Sequence, residues 1–203
     1  LTYRTPIQTN AGLDVYENPQ KDHTYFMCAD VSRGTSNDYS AYLVFDVTQV
    51  PYRIVAKFRD NTIKPLMFPQ KIYHVARAYN LAFVLIEVND IGEQVANAMQ
   101  FDMEYDNFIT HVYTSRIDNL KQMIEDNKIV VEDFDSINEL STFIVKGSSF
   151  EADDGCTDDL VACMFIFGWA TDQTYFKELT NNDIRQQMFA EHQDQIEQDM
   201  APF

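Results

Sequence analysis

Basic side chains are scarce in this sequence of 203 residues. Fifteen lysines and arginines stand against 32 aspartates and glutamates, which gives a formal net charge of −17. A protein that coats nucleic acid needs a basic surface, so the composition argues against that class. It does not exclude a nuclease, because acidic side chains hold divalent cations and those cations meet the phosphate groups.

The sequence also lacks the motifs of several other classes. No apolar run approaches the roughly 20 residues of a transmembrane helix, and no signal peptide opens the chain. The three cysteines form no zinc-type pair, which favours a reducing compartment and thiols that fill space. The four histidines have no paired spacing, and no phosphate loop of the GxxxxGK[ST] type occurs, so an ATP site of that kind is not expected.

What the sequence does contain is a strand-rich first part. Apolar residues make up 45% and aromatic residues 13%, which predicts a globular domain with a substantial core. Residues 1–22 are polar and predict an extended arm or linker. Residues 24–31, 39–47 and 52–59 are rich in aromatic and β-branched residues, and they predict three strands in an antiparallel meander.

The rest of the chain alternates between helical and strand patterns. Helices are predicted at residues 65–80, 90–99, 115–126, 134–144 (capped by Asp133) and 160–170, and strands at residues 81–86, 108–114, 128–131 and 149–152. Residues 160–170 are apolar almost all round, which indicates a buried helix. Residues 172–203 predict a peripheral helical tail. The predicted fold class is α/β, a mixed sheet of three antiparallel strands followed by parallel strands, with helices on both faces.

Three apolar elements end or begin at a carboxylate. Asp30 ends the first long strand, Glu87 follows the apolar run 81–86, and Asp158 and Asp159 precede the buried helix. A bare charge at the end of a buried strand is costly, and strand ends meet at one edge of a sheet. Carboxylate oxygens select Mg²⁺ or Mn²⁺. The pattern predicts a site for two such ions, which would activate a water and stabilise the leaving oxygen of a phosphodiester.

Each carboxylate also has a simpler interpretation. Asp30 precedes a Ser- and Gly-containing segment typical of a turn, and Glu87 fits a solvated strand end. Asp158 and Asp159 favour a helix N-terminus, worth roughly 0.3–1 kcal/mol each. The metal site is favoured because all three positions lie where one fold would bring them together.

Three motifs together resemble a known family. Residues 28–34 (CADVSRG) with 38–40 (DYS), residues 86–89 (IEVN) and residues 157–161 (TDDLV) resemble the C-terminal nuclease domain of the large terminase subunit of tailed bacteriophages, nearest to the T-even-like group. The resemblance extends over about residues 24–170. It implies an RNase H/resolvase-like fold for residues 23–171 and an endonuclease that cuts concatemeric viral DNA at the start and end of packaging, with little sequence specificity.

The resemblance also implies roles for individual residues. Asp30 and Glu87 match the first two catalytic acids, with Asp30 bridging both ions. The third acid falls on the Asp158-Asp159 pair. Asp159 is favoured because it directly precedes the apolar helix, and Asp158 remains a cap or an alternate ligand. Asp38 matches a further acidic position and is expected to hold a metal-bound water.

Partners and location follow from the same resemblance. It implies double-stranded DNA, an N-terminal packaging ATPase domain on the full chain, the portal and the small terminase subunit, in the host cytoplasm and transiently at the prohead, with no membrane. The first residue, Leu1, fits a piece of a longer protein. Arg33, Lys57, Arg59 and Lys64 are predicted to contact DNA, with ordinary solvated charges as the alternative. The family's Gly- and Lys-rich excursion near residues 112–118 is missing from this sequence.

Two other functions share these features. A Holliday-junction resolvase uses the same arrangement of carboxylates and would prefer branched DNA. A catalytically silent docking module with an RNase H fold would use its acidic surface to bind a basic partner and would bind no metal through these carboxylates.

Overall fold

The computed structural model describes residues 3–32, 39–88, 91–105, 107–111, 117–146 and 149–181. Within them, the strands are β1 (Gln8–Asn10), β2 (Leu13–Val15), β3 (Tyr25–Asp30), β4 (Ser40–Asp46), β5 (Tyr52–Asp60), β6 (Phe83–Glu87), β7 (Phe108–His111), β8 (Ile129–Val130), β9 (Phe143–Lys146) and β10 (Ser149–Ala152). The helices are α1 (Phe68–Ala78), α2 (Gly92–Asn97), α3 (Ile117–Glu125), α4 (Phe134–Thr142), α5 (Asp159–Ala170) and α6 (Thr174–Thr180). A 3-10 turn, Pro65–Met67, precedes α1, and a π-helical turn, Ala98–Asp102, follows α2.

A single mixed sheet organises the domain. Its strand order is β1-β2-β5-β4-β3-β6-β7, and β8 pairs with β5. Strands β3, β4 and β5 form the predicted antiparallel meander, whereas β6 runs parallel to β3 and β7 parallel to β6. The predicted α/β class with a mixed sheet is therefore confirmed.

Helices cover both faces of the sheet. On one face, α1 packs Phe68 and Ile72 against the aromatic residues of the meander. On the other face lies α5, buried along most of its length, where Phe167 stacks on Phe45 with ring centroids 3.8 Å apart. Such burial on both sides explains why every residue of β4 is buried and why its sequence is almost entirely apolar.

Close approach of two helices depends on one glycine. A Cβ atom at Gly168 of α5 would lie 3.1 Å from the backbone nitrogen of Leu120 in α3. The missing side chain lets α3 pack directly on α5, and α3 thereby covers the outer side of the buried helix. Among the described residues, no helix has the length and apolar character needed to span a membrane.

The structure differs from the predicted elements at two hairpins. Within residues 1–22, predicted as an arm, β1 and β2 pair with each other and β2 extends the sheet along β5. Residues 143 and 144, predicted as the end of a helix, belong to β9, which pairs with β10. Phe143, Ile144 and Val145 are an aromatic residue and two β-branched residues, which favour a strand once α4 has ended. The domain boundaries at residues 22 and 171 stay predictions.

Other predicted details fall beyond the described residues. The first residue of the helix predicted at 90–99 is one of them, and so is most of the tail, residues 182–203. Asp133 caps α4 as predicted, because its side chain accepts a hydrogen bond from the backbone N–H of Ser136.

Candidate metal site

Two of the predicted acids end neighbouring parallel strands. Ala29 of β3 is in register with Ile86 of β6, so the next residues, Asp30 and Glu87, leave the sheet at the same edge. Cys28 and Leu85 pack in the core on the α5 side of the sheet. Because side chains alternate along a strand, Asp30 and Glu87 also face α5. Their carboxyl groups are hydrogen-bonded to each other.

The third acid comes from the helix that covers this face. Asp159 is the first residue of α5 and is only 7% exposed. Its Oδ1 accepts a hydrogen bond of 3.0 Å from the backbone N–H of Tyr39, immediately before β4. Its Oδ2 is buried and has no hydrogen-bond partner among the described residues. Since β4 pairs with β3, this contact holds Asp159 on the side of Asp30.

The pKa of Asp30 responds to both of the other carboxyls. Burial raises the pKa of Asp30 well above its usual range, and the nearby charges of Glu87 and Asp159 raise it further. Burial also raises the pKa of Glu87, against the hydrogen bond from Asp30, which lowers it. Burial raises the pKa of Asp159 to about 7, partly offset by the Tyr39 N–H. Without a cation, the raised pKa favours the protonated form of Asp30, whose O–H donates a hydrogen bond to the Glu87 carboxylate.

This donor set suits a hard divalent cation. All three groups are carboxylates, and one buried oxygen, Oδ2 of Asp159, lacks a partner in the described part of the chain. As the side chains stand, the described residues contain no group of three or more His, Cys, Asp or Glu arranged to hold a metal ion. Binding of a cation requires these carboxyls to lose their protons.

Asp158 has a different position from Asp159. It is the N-cap residue of α5, but its side chain makes no capping hydrogen bond. Instead, its Oδ2 accepts a bond of 3.4 Å from the backbone N–H of Ala152 at the end of β10. Its charge acts on Asp30 less than that of Asp159 does. The geometry thus favours Asp159 as the third acid, and the metal-ligand roles stay predictions.

A residue missed by the sequence analysis caps α5. Oε2 of Glu139, in α4, accepts hydrogen bonds from the backbone N–H groups of Leu160 (2.8 Å) and Val161 (3.2 Å). Its Oε1 accepts from Thr157 (3.0 Å) and pairs with Arg59 (3.1 Å). The sequence places Glu139 on the same helical face as the buried Ser136, but that signal does not identify its partners.

The structure contradicts the predicted DNA contact of Lys57. Its side chain is 3% exposed, and its Nζ lies 3.1 Å from Asp14 and 3.5 Å from Asp133. It also pairs with Asp135. β5 is an interior strand of the sheet. The side chain of Lys57 lies on the face of β5 that is turned toward α4. The charge of Lys57, which was expected to contact phosphate, therefore links β5 to α4.

Arg59 also points inward, two residues along the same strand. It pairs with Glu139, donates to Thr157 and lies over the ring of Tyr39, 3.9 Å from the centroid. These contacts hold the guanidinium of Arg59, whose side chain is 19% exposed, and its DNA contact stays a prediction. Lys64 is exposed, and its DNA contact stays a prediction. Arg33 and Asp38 lie outside the described residues, as does most of the segment 112–118 in which the family's excursion is missing.

Comparisons with known proteins agree with this architecture. A family model described as the terminase RNaseH-like domain matches residues 27–179. The large terminase nuclease from the thermophilic phage G20c, solved with bound magnesium, superposes with a TM-score of 0.70 at 20% identity, over 83% of this chain and 92% of that chain. The same nuclease with bound cobalt gives 0.69 at 20% identity, over 83% and 92%.

A nuclease domain from a second phage has the same fold. The large terminase nuclease domain of Thermus phage P74-26 superposes with a TM-score of 0.65 at 21% identity, over 81% of this chain and 88% of that chain. The RNase H-like fold implied by the sequence motifs is confirmed. The nearer grouping with T-even-like phages stays a prediction.

Proposed function

This chain belongs to the family of terminase RNase H-like domains, and from that premise we propose that it is a divalent-metal-dependent nuclease acting in phage DNA packaging. The observation that carries the proposal is the convergence of Asp30, Glu87 and Asp159 at one sheet edge beneath the start of α5. The charges of Glu87 and Asp159 both raise the pKa of Asp30, as expected where carboxyls share a site that a cation would neutralise.

Asp30, Glu87 and Asp159 would hold Mg²⁺ or Mn²⁺, and we propose two ions. When bound, the cations would supply a nucleophilic water and neutralise charge on the phosphodiester. Other groups of the chain position these three carboxylates. The N–H of Tyr39 orients the Asp159 carboxylate, the hydrogen bond between Asp30 and Glu87 keeps both side chains at the site, and burial strengthens every charge interaction there.

The proposed substrate is duplex DNA, which would be bound through its phosphates and cut with little sequence preference. The net charge of −17 supports a cation-mediated approach, because the chain repels bare phosphate. Arg33, Arg59 and Lys64 are the proposed direct contacts that remain. By family membership, we further propose endonucleolytic cutting of concatemeric DNA at the start and end of packaging. The proposed partners are an N-terminal ATPase domain, the portal and the small terminase subunit, and the proposed location is the host cytoplasm and the prohead.

The test is cleavage of supercoiled plasmid in Mg²⁺ by the parent and by Asp30→Asn. We expect the substitution to slow cutting by at least about a hundredfold, because the central cation ligand is weakened. EDTA should abolish cutting by the parent. Asp102→Asn changes an exposed aspartate away from the site and should cut at the parental rate.

Two results would overturn the proposal. Undiminished cutting by Asp30→Asn removes the site assignment, and strong cutting in EDTA removes the metal. A four-way junction included beside linear duplex separates a packaging nuclease from a junction resolvase, since only the resolvase prefers the branched substrate.

A further inference from the structure

The start of α5 needs hydrogen-bond acceptors. The first N–H groups of any helix lack partners within the helix, and a carboxylate at the N-terminus is a favoured acceptor. Two carboxylates, Asp158 and Asp159, stand at this N-terminus, yet neither provides the cap. The N–H groups of Leu160 and Val161 donate instead to Oε2 of Glu139, at 2.8 and 3.2 Å. Asp159 is thus left free of capping.

A cation of the protein itself also lies close to Asp159. Arg59 stacks on the ring of Tyr39, whose backbone N–H donates to Asp159. Its guanidinium pairs at 3.1 Å with Oε1 of Glu139, which is 2% exposed. If Glu139 lost its charge, the buried Oδ2 of Asp159, which has no partner in the described chain, would become an acceptor for Arg59.

We infer that Glu139 is a positioning residue that keeps the Asp159 carboxylate available to a divalent cation. It does so by satisfying the N-terminus of α5 and by engaging Arg59, the two groups that otherwise compete for Asp159. The inference rests on the proposed function and extends it to a residue outside the three proposed ligands. Partners of this kind hold ligands in place, and their loss typically weakens metal binding about 10–100-fold.

Calorimetric titration with Mn²⁺ tests this role through Glu139→Gln. The substitution keeps the shape and one acceptor oxygen, but it removes the charge that engages Arg59. We expect the Mn²⁺ dissociation constant to rise about tenfold. Adding Arg59→Gln should restore it to within about twofold of the Arg59→Gln single variant, because the competitor is gone. A structural role alone predicts no such rescue.

Tyr79→Phe is the matched control for lost stability. It removes a hydrogen bond of 2.8 Å to the backbone carbonyl of Glu17, on the other face of the sheet. We expect a lower melting temperature with unchanged Mn²⁺ affinity. If Glu139→Gln behaves in the same way, or if its loss of affinity persists in the Arg59→Gln background, the inference is overturned.

Failure of the inference is distinct from failure of the proposed function. A parent protein that binds Mn²⁺, and loses it in Asp30→Asn, keeps the function even if Glu139→Gln has no effect. A parent protein that binds no Mn²⁺ overturns the proposed function and the role of Glu139 with it.

Discussion

Asp159 carries an energetic cost in the metal-free protein. Burial raises its pKa to about 7 in the folded state, against about 3.9 for an aspartate in an unfolded chain. Between these two values the folded state binds the proton more tightly than the unfolded state does. The contribution of Asp159 to the free energy of unfolding therefore falls as pH rises from about 4 to 7, the reverse of a salt-bridged aspartate.

Replacing this residue with a neutral isostere should stabilise the metal-free domain. Asp159→Asn keeps an oxygen for the N–H of Tyr39 and removes the buried charge. At pH 7.5 in EDTA, we expect the free energy of unfolding to rise by about 1–3 kcal/mol, with little change at pH 4. Urea titrations at both pH values measure the difference. A variant less stable than the parent at pH 7.5 would contradict it.

At the scale of elements, α4 connects the sheet to the start of α5. Lys57 of β5 holds the N-terminal turn of α4 through Asp133 and Asp135, and Glu139 near the other end of α4 caps α5. The aspartate partners raise the pKa of Lys57 against the effect of its burial, so the lysine stays charged. The position of the third acid thus depends on β5 through α4.

Removing the charge of Lys57 should destabilise the domain by breaking the contact between β5 and α4. Lys57→Met leaves Asp14, Asp133 and Asp135 without their shared cation, and loss of one partner of a buried ion pair costs about 3–5 kcal/mol. Urea unfolding measures the loss. Lys64→Met, at an exposed lysine, should change stability by no more than about 0.5 kcal/mol. A Lys57→Met variant of parental stability that fails to bind DNA would restore the contact role rejected above.

Local patterns were sufficient to predict the parts of the fold whose signal is continuous in sequence. The apolar run of β4 and the apolar residues all round α5 each predict burial. The ends of two apolar strands identify Asp30 and Glu87 as candidate site residues. Strand β10 was predicted, but β1, β2 and β9 were missed because strands of three or four residues have few positions in which a period can emerge.

Contacts between distant segments could not be predicted from pattern. Glu139 finds its partners in Leu160 and Val161 only after α4 and α5 have packed together. Lys57 and Arg59 were assigned to solvent because alternation along β5 identifies two faces without saying which face a helix will cover.

At the scale of the whole molecule, divalent ions are expected to act as ligands that stabilise the folded state of this strongly acidic domain. A cation bound only by the folded state stabilises it by mass action, about 2.7 kcal/mol at one hundred times the dissociation constant. Protons compete for the same oxygens, because Asp30 and Asp159 both have raised pKa values. Metal affinity should therefore increase with pH.

Melting curves with and without Mn²⁺ measure this linkage. We expect Mn²⁺ to raise the melting temperature by several degrees at pH 7.5 and by much less at pH 5.5, where the carboxyls keep their protons. Asp30→Asn should abolish the increase. An equal increase in Asp30→Asn, or one that does not depend on pH, would indicate ions bound elsewhere on the acidic surface.

The place of α5 in the chain has a consequence for biosynthesis. This helix supplies Asp159 and also fills the core on one face of the sheet. A nascent chain that has not yet emerged past α5, or a proteolytic fragment that ends before it, lacks a ligand and a core layer at the same time. Under the proposed function, cutting of DNA therefore requires that this late segment has been made and has folded.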